Sequence, residues 1–140
     1  MKEMWNDIRL LIATIGGWVG FFIGGCDGLI ITLLIFVIID YITGVLCAIY
    51  DKKLSSKIGF KGITRKILVF VLVGLANMLD VNVLKTGAVL RTATIFFYLS
   101  NEGISILENA GHLGVKYPNK IKDVLEQLHD RSEKNEQEGI

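Results

Sequence analysis

The sequence predicts an all-α protein whose helices cross a membrane several times. Three observations carry that prediction. The apolar residues fall in blocks of spanning length rather than at the period of a soluble core. The chain is 51% hydrophobic with a mean hydropathy of +0.50, too apolar for a soluble domain of 140 residues. The charges are segregated, few inside the blocks and most between or after them, so the net charge of +1 says little. A single proline argues against a disordered chain.

The stretch that organises the rest is 28–50, GLIITLLIFVIIDYITGVLCAIY. Crossing a bilayer takes about 20 residues at about 1.5 Å each, so this block is long enough. It contains Asp40 and Thr43. A carboxylate at the bilayer centre costs about 2.5–3.5 kcal/mol on insertion scales, and each Leu, Ile, Phe or Val returns about 0.3–0.6. The run can therefore carry one aspartate, and an intramembrane carboxylate marks a functional site by default.

Before it, 8–25 is a first block of spanning length, rich in glycine. Gly16, Gly20 and Gly24 recur every four residues and make one smooth helical stripe, suited to close helix packing within the chain or between copies. Trp5 and Trp18 suit the two interfaces. Lys2, Arg9 and the run ending in Gly24-Gly25-Cys26 resemble a lipoprotein cleavage site, but Glu3 and Asp7 interrupt the positive region and a further apolar block follows at once; cleavage is not expected. Asp27 and Gly28 read as a short turn.

After it, 51–66 reads as a basic loop with Lys52, Lys53, Lys57, Lys61, Arg65 and Lys66 opposed only by Asp51. This is the strongest orientation signal in the chain and places the loop in the cytoplasm; between two membrane blocks it does not point to nucleic acid. The third block, 67–84, carries Asn77 and Asp80. The fourth, 88–107, is the most polar: Arg91, Thr94, Tyr98, Glu102 and Ser105 fall on one helix face, with Asn101 nearby. That stripe must face protein or water, or else the block is an interfacial helix.

From Glu108 the chain turns hydrophilic. Pro118 suits a helix start, and Ile121, Val124, Leu125 and Leu128 predict a short amphipathic helix over about 118–131, followed by a charged tail. The organisation expected is a membrane domain, 1–115, and a cytoplasmic segment, 116–140. Four spans are expected, three being the alternative; in both, the 51–66 loop and the tail lie inside.

Depth follows from the rise per residue. Asp80 and Arg91 would lie within about 5 Å of each other in the outer half and form an ion pair. Asp40 and Glu102 would both lie about 18–21 Å from the outer surface, with no cation of the chain expected at that depth. A monomer of four thin helices is expected to leave no room for water beside them, so a ring of copies would supply it.

No phosphate loop, Ser/His/Asp spacing or paired metal ligands occur, so no catalytic residue, metal or cofactor is expected. His112 and His129 lie outside the blocks and read as solvated surface residues. Cys26 and Cys47 sit near opposite ends of one helix and read as unpaired thiols.

Several stretches together resemble one family, the toxin-secretion/phage-lysis holins. They are Asp40-Tyr41-Ile42-Thr43-Gly44; Ser55-Ser56-Lys57-Ile58-Gly59-Phe60-Lys61-Gly62 with Arg65-Lys66; and Asn101-Glu102-Gly103-Ile104-Ser105-Ile106-Leu107-Glu108-Asn109. The segment Leu113–Leu128, with Gly114 and Pro118, is similar as well, so the resemblance covers about 28–130. It implies a small phage or prophage-derived protein of the bacterial cytoplasmic membrane, mainly in Gram-positive hosts. Such a protein self-associates among lipids and opens lesions that release an endolysin or, in some relatives, a large toxin. The alternatives are a small proton-coupled transporter using Asp40 or Glu102, and a non-conducting membrane subunit; scattered polar groups and the lack of an inverted repeat weigh against the transporter.

Overall fold

The computed structural model describes residues 1–138. They form five helices: α1 (Lys2–Ile23), α2 (Gly28–Tyr50), α3 (Ser56–Met78, prolonged by a π-helical turn Leu79–Leu84), α4 (Val89–His112) and α5 (Asn119–Glu138). No strand occurs among the described residues, as the all-α expectation requires.

Local chemistry sets the boundaries. Gly24 ends α1 in a left-handed conformation, φ 90°. Asp27 is more than a turn residue: it caps α2, its carboxylate accepting from the Ile30 N–H at 3.0 Å. Ser55 caps α3, its hydroxyl accepting from the Ile58 N–H at 3.3 Å. That cap corrects the sequence reading of 51–66. Only 51–55 is a connection; Lys57, Lys61, Arg65 and Lys66 lie on α3, which begins well before the apolar block at 67. The first helix likewise starts earlier than read, at Lys2, with Arg9 lying over the Trp5 ring.

α4 is the centre of the bundle, packed against α2, α3 and α5. Contacts at both ends show α2 and α4 running parallel: Arg91 meets Asp27 at one end and His112 meets Asp51 at the other. α3 runs antiparallel between them, with Lys66 beside Asp40 and Glu102. The core joins Ile30, Leu33 and Val37 of α2, Val69 and Val73 of α3, and Ile95 and Leu99 of α4. Burying such side chains from water is worth about 1.5–3 kcal/mol each, but lipid is as apolar as leucine, so the polar ties weigh more in a membrane.

Outside, the bundle is apolar. α2 exposes Ile31, Leu34, Ile35, Ile38, Ile42, Leu46 and Ile49, and α1 and α3 expose similar faces. By length and composition α1, α2 and the extended α3 are able to cross a membrane; α4 is not among them, because its polar stripe lowers its hydropathy. That stripe turns inward.

The two terminal helices are attached unequally, α5 packing extensively along α4 and α1 only lightly on α3. α1 has no buried residue and packs along α3, while its last residue, Ile23, also meets the core and Arg91 of α4. Its anchor is the Phe22 ring, which occupies the space a side chain at Gly74 would need, with the Asn77 amide donating to the Phe22 carbonyl at 3.0 Å. Gly16 and Gly20, read as a packing stripe, face open space within the chain. α5 touches only α4. Leu125 and Ser132 are buried there and Leu128 is half-buried, whereas Ile121 and Val124, read from sequence as part of its apolar face, stay exposed.

Gly74→Ala is expected to expel Phe22 and cost about 1–3 kcal/mol of local stability. Limited proteolysis in detergent should then release α1 faster than from the unaltered chain, with 28–112 still protected.

Candidate functional site

The polar residues gather in two clusters at different depths of the bundle. The first centres on Lys66. From its place on α3, its Nζ donates at 2.5 Å to both Asp40 of α2 and Glu102 of α4. Asn109, two turns further along α4, donates to the other Asp40 oxygen at 3.2 Å and to the Thr43 hydroxyl at 2.9 Å. Thr43 donates back to the Asp40 carbonyl at 3.1 Å. The Lys66, Asp40 and Glu102 side chains are 17%, 12% and 12% exposed, so three charges are largely withdrawn from solvent. Such a trio is tolerable only when mutually paired.

This corrects two expectations. A cation does sit at the depth of Asp40 and Glu102, and the single chain does hold a cavity there, of about 600 Å³ between α2, α3 and α4. Tyr98, Asn101 and Ser105 of the polar stripe line it, with Tyr41 packed over Gly59 and Gly62. If all three groups are ionised, one amine faces two carboxylates, leaving one negative charge in excess.

The second cluster centres on Arg91, only 4% exposed. Its Nη1 donates to the Asp27 carboxylate at 2.7 Å, its Nε to the Ile23 carbonyl at 2.6 Å and its Nη2 to the Gly25 carbonyl at 3.1 Å. One side chain on α4 thereby fixes the whole α1–α2 turn, over which Gly24 packs against Asn77 and Arg91. The expected Asp80–Arg91 side-chain pair does not form. The wholly buried Asp80 carboxylate instead accepts from the backbone N–H groups of Leu90 at 3.0 Å and Arg91 at 2.8 Å. These are free donors of α4's first turn, which lacks a cap of its own, and an anion is favoured there. Thr94 is satisfied locally, donating to the Leu90 carbonyl at 2.7 Å. No buried polar side-chain atom lacks a partner among the described residues.

Lys52, Lys53, Lys57, Lys61 and Arg65 are exposed, Arg65 at the rim of the cavity. The sequence reading missed Lys66, Asn109 and Asp27 as members of these clusters. A signal for Lys66 was present: counted from a helix start at Ser55, it shares a face with Val69, Val73 and Asn77, all buried.

The arrangement, charged groups paired inside an apolar shell with three helices of spanning length, defines a helical membrane protein. Residues 17–130 match the bacteriophage holin family, and the chain belongs to that family. An uncharacterised 14.9 kDa protein of the nagH 3′ region of Clostridium perfringens is 42% identical over 132 residues, covering 94% of this chain and 99% of the relative. The uncharacterised protein YqxH of Bacillus subtilis is 44% identical over 103 residues, covering 74% and 73%. A probable holin of Bacillus phage phi105 is 41% identical over 107 residues, covering 76% and 78%. No solved structure matches the chain.

Lys66→Met is expected to destabilise the bundle by about 3–5 kcal/mol, because two buried carboxylates lose their cation. The triple variant Asp40→Asn/Lys66→Met/Glu102→Gln should recover most of that loss; denaturant titration in detergent measures both.

Asp27 lies in the turn outside the helices, where the Arg91 hydrogen bond, opposed by partial burial and helped by the Ile30 N–H, holds its carboxyl below the ordinary 3.8. A lowered folded value means the pair contributes fully above pH 3.8 and fades as pH falls through that lower value. Half-exposed as Asp27 is, Asp27→Asn should cost about 1 kcal/mol at neutral pH and flatten the acid limb of the stability profile.

Proposed function

We propose that the chain acts as a holin: copies assemble in the bacterial cytoplasmic membrane and open a lesion through which an endolysin, or a large toxin, escapes. The observation that carries this reading is the inverted distribution of polarity. Two buried charge clusters are enclosed by helices whose outer faces on α1, α2 and α3 are apolar, so a single copy enters lipid with those charges paired, and opening a water path requires the clusters to be shared between copies or exposed. Asp40, Thr43, Tyr98, Asn101, Glu102 and Ser105 would then face the water path, and Arg91 with Asn77 and Asp80 would hold the outer end together.

The topology that goes with it has four spans. α4 runs parallel to α2 from the Asp27 end to the Asp51 end, which supports reading α4 as a span beside α2. The basic start of α3 and the segment 116–140 then lie in the cytoplasm. Phage homology supports the holin reading through the family and the probable holin of phi105. A small proton-coupled transporter is the second reading, favoured by one feature, the cavity that ends on Asp40, Lys66 and Glu102.

Purified protein added to dye-loaded anionic vesicles separates the two. A holin is expected to release dye only above a threshold protein-to-lipid ratio, and to release large dextrans with small dyes. Proton movement with full retention of dye at every dose would favour the transporter and remove the lesion.

A further inference from the structure

One flank of α3 changes character along its length. Lys57, Lys61 and Arg65 follow at four-residue spacing, and Leu68, Leu72 and Leu75 continue at three and four, so the six share one face of the helix. All six are exposed, the leucines at 52%, 43% and 52%. No described helix covers this strip: Lys66, Val69 and Val73 turn inward on another face, and α1 sits at Gly74. Three cations thus head a row of three leucines.

The cationic part is unfavourable on its own. Like charges four residues apart on a helix repel. Lys57 lies in the first turn of α3, where the helix dipole is positive, and that turn holds no acidic residue. None of the three has an ion-pair partner among the described residues, whereas Lys66, one residue on, has two. The described chain supplies no anion to this row.

The apolar part says where an anion comes from. α3 with its π-helical turn, Ser56–Leu84, has 29 residues and is about 43 Å long, against about 30 Å of hydrocarbon in a bilayer. In a membrane its charged start stands toward the headgroup layer and its leucines lie among acyl chains. Helical side chains lean toward the helix N-terminus, so Lys61 and Arg65 reach out of the hydrocarbon rather than into it. A phosphate joined to an acyl chain has the same order of charge and apolar surface. A second copy does not fit the strip, because copies inserted the same way would set each row of cations against its own equivalent.

We propose that this strip of α3 binds one anionic phospholipid, its phosphate between Lys61 and Arg65 and a chain along Leu68, Leu72 and Leu75. Lys57 adds to the field at the headgroup. The inference needs α3 in a membrane and does not depend on lesion formation. Arg65, Leu68 and Leu72 also border the cavity of about 600 Å³, so the bound lipid stands at the cavity's edge, beside the Lys66 cluster. Lys66 already holds Asp40 and Glu102, which leaves Arg65 to the phosphate.

Native mass spectrometry of the full chain in neutral detergent, with phosphatidylglycerol or phosphatidylcholine of the same chains added, reads the test. The unaltered protein is expected to hold one phosphatidylglycerol per chain about thirtyfold more tightly than phosphatidylcholine; equal retention overturns the proposal. Lys61→Gln/Arg65→Gln is expected to remove that preference and leave phosphatidylcholine retention and the circular dichroism spectrum unchanged; a preference that persists overturns the site. Lys52→Gln/Lys53→Gln takes the same charge from the connection before α3, off the strip, and should keep the preference. An equal loss there would mean a diffuse cationic surface and would overturn the site as well. Glycerol phosphate at matched concentration should not displace the lipid; full displacement would assign the cations to a soluble phosphate and refute the part given to the leucines. Lipid-free dimers in place of lipid-bearing single chains would give the strip to a second copy and end the proposal.

Discussion

The structure depends on one electrostatic constraint: Asp40, Lys66 and Glu102 have to meet. Each sits on a different helix, and none is affordable in an apolar slab alone. Their meeting fixes the register of α2, α3 and α4 at one depth, because a slip of one turn on any of them would part the amine from a carboxylate by about 5 Å. Apolar packing cannot do this in lipid, where leucine against leucine and leucine against acyl chain are nearly equivalent. Charge here supplies specificity more than net stability.

The Arg91 cluster repeats the logic nearer the other end. It draws the α1–α2 turn, the end of α3 and the start of α4 onto a single guanidinium and a single buried aspartate. α4 contributes to both clusters, which is why it is the most buried helix although it is the most polar of the first four. Under the holin function proposed above, polar groups satisfied within one copy would keep the protein harmless until copies meet.

Much of this was legible in the sequence. The apolar blocks gave the all-helical class, and α2 was bounded as it is observed, since Asp27 and Asp51 flank an unbroken apolar run. Counting residues put Asp40 and Glu102 at one level, and Lys66 does meet both. What was not legible was pairing. Lys66 read as the last residue of a basic loop because hydropathy windows begin where apolar residues begin, whereas the helix begins at the Ser55 cap. Arg91 was assigned to Asp80 on depth alone; depth does not say which way a long side chain extends, and Asp80 had free backbone donors closer at hand. The docking of α5 could not be read from Ile121 and Val124, because one glycine on α4, Gly103, decided which leucine would seat.

The attachment of α1 has a mechanical meaning. A rod of 22 residues, about 33 Å long, is pinned near one end by a ring in a notch, and no residue along it is buried. A pivot of about ten degrees at Phe22 moves the region of Trp5 by several ångströms, resisted only near the pivot, where Ile23 meets the core and Arg91. Its inclination is thus set by the thickness and lateral tension of the surrounding bilayer rather than by the rest of the chain.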